Sequence, residues 1–291
     1  MDYESKSVEV TFEDGSKGDM ELKFPIKEKK KVYIVGCANS KNVLSWDDPD
    51  AEYWGVNNLY GVPIEGAHYD RWFEIHNIWQ DPKTDKMLRR NMNEFRGQDV
   101  LNYMQGLASL KCTVYMQKHW PNLIPYSIPY PLDEVVQFFQ NKGINLDVCR
   151  YITNTIAYEI MLAIYLGFEE IHVWGVDMSV GSEYEHQKAC CEFWMGVALG
   201  MGIRVYVPSQ ADLLKTRFLY GFEEKQSDEW NEKLEKIRVD AKVKRLQLEH
   251  QHSEDAKTIE QYRGVEKATE EIKMIWANLS DDLMYYKRGT L

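Results

Sequence analysis

Four short polar stretches carry residue types that could bind or transfer a charged group. Gly36-Cys37-Ala38-Asn39-Ser40 follows the apolar run Val32-Tyr33-Ile34-Val35. A glycine there lets backbone approach a ligand closely. Asn39 and Ser40 can cap a following helix, whose N-terminus would attract phosphate. The stretch is neither G-x-G-x-x-G nor a P-loop, and its plainer reading is a strand-to-helix turn. Asn57 and Asn58 end the next apolar run. They could hydrogen-bond a base or ribose, or simply form a turn, because Asn tolerates the left-handed region. His76 closes the stretch 71–77 at a strand end, where catalytic groups gather, although a lone histidine is more often structural. The fourth and richest stretch is split. Thr153-Asn154-Thr155 precedes a long helical pattern, Gly175-Val176-Asp177 follows a strand pattern, and Glu183-Tyr184-Glu185-His186 comes shortly after. Asp177 could hold a ribose hydroxyl, a metal ion or a loop amide. His186 could act as a general base and Tyr184 could donate to a leaving phosphate. The plain alternative leaves Asp177 capping a turn and His186 on a solvated helix face.

These groups can meet only if the elements before them end along one edge. Residues 31–35, 53–56, 71–75, 112–116, 171–174 and 204–207 read as short strands, several as continuous apolar runs suited to a parallel sheet covered on both faces. Helical patterns lie between them. The clearest covers 155–166, with Ile156, Ile160, Ala163 and Ile164 on one face, and stops at Gly167. Strands alternating with helices predict an α/β fold: a Rossmann-like, mostly parallel sheet with helices on both faces. In such sheets ligands sit beyond the carboxyl ends of the strands, where strand order reverses. Residues 121–131 are proline-rich and read as an irregular loop. Residues 1–30 read as a peripheral β-hairpin and linker, and 31–221 as the nucleotide-binding domain. Residues 222–291 read as a charged helical extension, either a hairpin or a coiled coil, with Trp230, Leu234, Ile237 and Ala241 as an apolar stripe.

The formal net charge is −11, and neither the part before residue 222 nor the part after it is basic. This argues against a sequence-independent grip on duplex DNA, which needs a basic face. A local patch from Arg89-Arg90 to Arg96 stays open. The five cysteines are odd in number and show no C-x-x-C spacing, so neither a disulfide framework nor a structural zinc site is expected. The acidic start is unlike a signal peptide, and no apolar run is long enough to span a membrane. A cytoplasmic location, that of the host cell if the chain is phage-encoded, is the expectation.

Residues 163–177, Ala-Ile-Tyr-Leu-Gly-Phe-Glu-Glu-Ile-His-Val-Trp-Gly-Val-Asp, together with the loop at Gly36, the Asn57-Asn58 pair and the polar helix start at Thr153, carry a resemblance. In this order they resemble a superfamily that includes the bacterial sialyltransferases with a GNGPSL loop and the 6-hydroxymethylpterin diphosphokinase-like proteins. The chain is also similar to uncharacterised bacteriophage-encoded proteins. The match covers roughly residues 31–215. It departs at the first loop, where Gly36 to Lys41 lacks the second glycine and the proline. The resemblance implies nucleotide binding, with a CMP-sugar or ATP as substrate. Gly36, Asn39 and Ser40 would then hold phosphate and ribose, and Asn57 or Asn58 would face nucleotide or sugar. Thr153, Asn154, Thr155 and Gly175 would line the pocket, and His186 would be the base. The expected function is a glycosyltransferase moving a sugar from a nucleotide-sugar to a hydroxyl acceptor without a metal, with Tyr184 or His76 stabilising the departing phosphate. The acceptor could be a glycan, a metabolite or a modified base in phage DNA. Two alternatives stand beside it. One is a diphosphokinase or nucleotide-transferring enzyme holding Mg²⁺ on Asp177 and Glu183. The other is a non-catalytic nucleotide-binding protein assembled into homo-oligomers by its C-terminal helices.

Overall fold

A computed structural model of the chain describes residues 2–12, 16–81, 83, 86–89, 100–144, 151–178, 185–215, 219 and 222. The chain divides into two compact units, Met1–Lys215 and Thr216–Leu291. Nearly all described residues belong to the first, and the stripe expected around Trp230 lies outside them.

The first unit opens with a long antiparallel hairpin, β1 (Tyr3–Thr11) and β2 (Lys17–Pro25). Val10, Leu22 and Phe24 are buried and join the core beneath the main sheet, so this hairpin is more than a linker. Next come β3 (Lys31–Val35), β4 (Ala51–Val56) and β5 (Arg71–Glu74). A small antiparallel hairpin, β6 (Ile78–Gln80) with β7 (Met87–Arg89), rises from the end of β5. Helix α1 (Val100–Ala108) precedes β8 (Thr113–Met116) and β9 (Ser127–Pro129). Then come α2 (Leu132–Asn141), α3 (Thr155–Tyr165), β10 (Glu170–Trp174), α4 (Glu185–Gly200) and β11 (Arg204–Tyr206).

Seven of these strands form one sheet in the order β11-β10-β3-β4-β5-β8-β9, with every adjacent pair parallel. The fold is therefore Rossmann-like α/β. The period-two alternation of each strand sorts the core into two layers. Val32, Ile34, Trp54, Phe73, Ile171 and Val173 pack with α2, α3 and α4 on one face. Val35, Tyr53, Trp72, Val114 and Met116 pack with α1 on the other. From β3 the chain steps outward through β4, β5, β8 and β9. It then returns across α3 to place β10 on the other side of β3, so strand order reverses between β3 and β10.

Two expectations are corrected. The proline-rich stretch is not wholly irregular, because residues 127–129 pair with β8 as the edge strand β9. Proline is tolerated there because an edge strand has a side that donates no ladder bond. Nor does an α-helix follow β3. Residues Asn39–Val43 form only a short 3₁₀ turn, capped by Ala38 without a side-chain hydrogen bond. Asn39 and Ser40 therefore do not cap a helix that could receive a phosphate.

Candidate active site at the strand ends

The reversal between β3 and β10 opens a cavity of about 710 Å³ at the carboxyl ends of the strands. Gly36, Cys37 and Ala38 line it after β3, Asn57 and Asn58 after β4, and His76 after β5. Gly175, Val176, Asp177 and Met178 line it after β10, and Thr153, Asn154, Thr155 and Ile156 from the start of α3. Arg89 from β7 and Gln187 from α4 complete the wall. Of the fourteen residues singled out from the sequence, nine face this cavity: Gly36, Asn57, Asn58, His76, Thr153, Asn154, Thr155, Gly175 and Asp177. Asn39 and Ser40 do not line it. Glu183 and Tyr184 lie outside the described residues, and His186 falls in the first turn of α4 with its side chain outside them.

Gly36 and Gly175 let two loops touch backbone to backbone. The Gly36 amide donates to the Trp174 carbonyl at 2.7 Å, and the Ala38 amide donates to the Gly175 carbonyl at 2.7 Å. A Cβ on Gly36 would stand 2.4 Å from the Gly175 carbonyl oxygen, and one on Gly175 would stand 2.3 Å from the Gly36 oxygen. Gly175 also has φ +64°. Ser40 turns inward, away from the cavity. Its hydroxyl donates to the Asp177 carboxylate and accepts the Gly175 amide at 2.8 Å, while its own amide donates to Asp177 Oδ2 at 3.3 Å. Ser40 and Asp177 thus brace one loop against the other. The Lys41 ammonium secures the underside by donating to the Cys37 carbonyl at 2.8 Å and the Ala38 carbonyl at 3.2 Å.

Asn154 is the N-cap of α3. Its Oδ1 accepts the Ala157 amide at 2.9 Å and its Nδ2 donates to the Gln187 carbonyl at 3.2 Å. The amide is engaged in shaping the wall, beside the hydroxyl-bearing Thr153 and Thr155. Asn57 adopts φ 50°, the left-handed conformation its residue type tolerates. Its backbone is pinned by Phe73 and Trp72, and its side-chain Oδ1 is buried without a hydrogen-bond partner. An unsatisfied acceptor lining a cavity is an opening for a ligand donor.

The strongest constellation surrounds His76. Glu74 is fully buried, and its Oε1 lies 2.6 Å from His76 Nδ1 and accepts the His76 amide at 3.0 Å. Its Oε2 accepts Arg89 Nη2 at 3.0 Å and the Tyr103 hydroxyl. Burial alone would raise the Glu74 carboxyl, but the bonds from His76 and Tyr103 and the Arg89 charge outweigh it and hold its pKa below the usual value. Arg89 Nη2 also lies 2.8 Å from His76 Nδ1. That nitrogen cannot donate to Glu74 and accept from Arg89 together. The carboxylate contact decides, since two lone pairs facing each other at that distance would repel. The ring is therefore Nδ1–H, oriented by Glu74, and Nε2 is the basic nitrogen, with no hydrogen bond among the described residues. This is the geometry of a histidine held for proton transfer.

Solved sialyltransferase structures are similar to this chain. The sialyltransferase CstII from Campylobacter jejuni in complex with cytidine-5′-monophosphate is 15% identical, with a TM-score of 0.40 over 65% of this chain and 88% of that one. The sialyltransferase CST-II in complex with a trisaccharide acceptor and CMP is 16% identical, with a TM-score of 0.40 over 65% of this chain and 89% of that one. The monofunctional alpha-2,3-sialyltransferase Cst-I from Campylobacter jejuni is 12% identical, with a TM-score of 0.39 over 77% of this chain and 99% of that one. No family model matches the chain, and no curated protein matches it.

Among the described residues, no three His, Cys, Asp or Glu side chains gather as a metal site would require. No helix among them is long and apolar enough to cross a membrane. The sequence reading missed Arg89 as a site residue, as well as Glu74 and Lys41 as the groups that position the site. Their partners are fixed by tertiary pairing, and the only local signal was the strand-end placement of His76 itself.

Proposed function

We propose that this protein is a glycosyltransferase that binds a nucleotide-sugar in the strand-end cavity and transfers the sugar to a hydroxyl acceptor. The observation that carries this reading is His76, held by buried Glu74 with Nε2 uncommitted, in the same cavity as the Gly36–Gly175 approach and the Asn57–Asn58 turn. The close glycine contact brings the loops after β3 and β10 together as one wall of the site, with backbone for a ligand's phosphate to lie against. Asn57 and Asn58 supply side-chain amides for base, ribose or sugar, and Thr153 and Thr155 supply hydroxyls. His76 Nε2 accepts the proton of the acceptor hydroxyl as that oxygen attacks the anomeric carbon. The bond from that carbon to the donor phosphate breaks, and the nucleotide leaves with the electron pair. Glu74 stabilises the imidazolium that forms. In the alternative assignment His186 is the base, and Tyr184 or His76 stabilises the departing phosphate.

The CMP-sugars implied by the sequence resemblance are the first donors to test. Glycans, small metabolites and hydroxylated DNA bases are the acceptors. The Mg²⁺-dependent alternative has less support, because the Asp177 carboxylate is already engaged by Ser40. The test is a thermal-shift and product screen of CMP-, UDP-, GDP- and ADP-sugars and ATP, with and without Mg²⁺. One nucleotide-sugar class that stabilises the protein and is consumed without added metal supports the reading. Stabilisation by ATP only when Mg²⁺ is present would overturn it in favour of nucleotide transfer.

A further inference from the structure

Glu159 is a carboxyl group with no evident reason to be where it is. It lies in α3 with no exposed surface, and neither of its side-chain oxygens has a hydrogen-bond partner. It stands one helical turn beyond Thr155 and Ile156, which line the cavity, and on the same side of the helix as Thr155. Helical side chains tilt toward the N-terminus, so the Glu159 carboxyl reaches back under that first turn. Three titratable groups lie within electrostatic reach of it: Cys37 from the cavity loop, Tyr130 from the segment before α2, and Cys191 from α4. Burial is the main cause raising all three, and the Glu159 charge adds to each. None of the three is a cation that could balance a carboxylate. Burial alone pushes Glu159 itself well above the usual carboxyl range, which favours the uncharged acid.

We propose that Glu159 is a proton-gated latch beneath the nucleotide cavity: as the neutral acid it lets α3 seat against the sheet and α4, and when ionised it must be hydrated, which draws the first turn of α3 out of the cavity wall. The unpartnered oxygens and the position under Thr155 and Ile156 carry this inference. Its effect on ligand binding rests on the reading that the cavity binds a nucleotide. The latch couples affinity to pH through α3 itself, since Asn154, which caps that helix, also fixes Gln187 on the opposite wall.

The test uses the full chain with CMP as the calorimetric probe from pH 5.5 to 9, comparing wild type with Glu159→Gln and Glu159→Met. His76→Asn serves as a control to remove the histidine titration. In parallel, hydrogen exchange of residues 155–165 is followed without ligand over the same range. Wild type is expected to lose CMP affinity with rising pH, by up to about tenfold per unit once Glu159 ionises in the free protein. Its α3 amides should lose protection over the same interval. Both trends should be flat in Glu159→Gln, and in Glu159→Met should the glutamine variant fail to fold. The same pH trend in wild type and in either folded variant would overturn the latch. If CMP binds to none of the proteins at any pH, the nucleotide reading fails, and the exchange profiles still decide the latch.

Discussion

Two buried Glu–Arg pairs meet on β5 and do different things: Arg71 of β5 pairs with Glu52 of β4, and Glu74 of β5 pairs with Arg89 of β7. In the first, Arg71 holds Glu52 through Nε at 2.7 Å and Nη2 at 3.1 Å. Trp54 Nε1 donates to the same carboxylate at 2.8 Å, and Arg71 Nη1 donates to the Tyr115 hydroxyl at 3.1 Å. Arg71 and Glu52 are both buried, with aromatic rings packed around them, and none of these groups faces the cavity. In the second pair, Glu74 holds Arg89 in a similar way but also takes His76, and the histidine ring is 26% exposed at the cavity. The ingredients are nearly the same. The first network closes on itself and can only brace the sheet, whereas the second sits at a strand end and leaves one ring nitrogen uncommitted. A buried charge pair marks a reactive site when one of its members keeps an open valence toward a cavity.

The largest test of that contrast is His76→Asn. It should lower sugar transfer about 10²- to 10⁴-fold, the usual contribution of a positioned acid–base group. Denaturant unfolding should stay close to wild type. An unchanged rate would reduce the second network to the status of the first. Next comes Arg71→Met, which strands the Glu52 charge and should cost about 3–5 kcal/mol in chemical denaturation. Turnover per folded molecule should be unaffected, and Glu52→Leu added to Arg71→Met should recover most of the stability. Loss of turnover at full folding would mean that the closed network also serves the site.

A smaller effect compares two glycines of similar φ. Gly175→Ala meets the Gly36 backbone and is expected to lose about 1–3 kcal/mol and to weaken nucleotide binding. Gly66, at φ +74°, has nothing within 4 Å of its Cβ position. Gly66→Ala should lose about 1 kcal/mol and leave binding alone. Equal losses of affinity in both would remove the close loop approach from the site.

The smallest effect is the shape of stability against pH. Glu74 has a depressed native pKa, so its contribution is present above the ordinary glutamate value of about 4.3 and fades as pH falls through the lower native value. Glu159 is raised and acts in the opposite sense. Its contribution is full below about 4.3 and is lost as pH rises toward the native value. Glu74→Gln and Glu159→Gln should therefore both approach wild type in acid and separate from it as pH rises, in opposite directions: the melting temperature of Glu74→Gln falls below the wild-type curve and that of Glu159→Gln rises above it.

Much of the fold was legible because buried parallel strands must be apolar. The strands β3, β4, β5, β8, β10 and the edge strand β11 all lie within one or two residues of the runs read from sequence. Helix α3 showed its stop at Gly167, which has φ +76°. The loops after β3, β4, β5 and β10 were legible as neighbours because the parallel topology sends them to one rim, where they line a common cavity. The inward turn of Ser40 was not, since its partner Asp177 lies 137 residues away and a local cap was the simpler reading. Arg89 looked like part of a basic patch, yet it is the buried partner of Glu74, 15 residues earlier, through the short hairpin β6–β7. Glu159 was not among the residues read from the sequence, because its burial is set by tertiary packing around α3.

The most direct measurement is calorimetric titration of the full chain with CMP-, UDP-, GDP- and ADP-sugars, wild type beside Gly36→Val. A valine at position 36 pushes against the Gly175 carbonyl and the Val176 side chain and so displaces the loops that line the cavity. One nucleotide class is expected to bind wild type, with the affinity lost in Gly36→Val while Arg71→Met, assayed well below its melting temperature, still binds. No binding of any nucleotide-sugar to wild type, or binding that survives Gly36→Val unchanged, would contradict a nucleotide site at the strand ends.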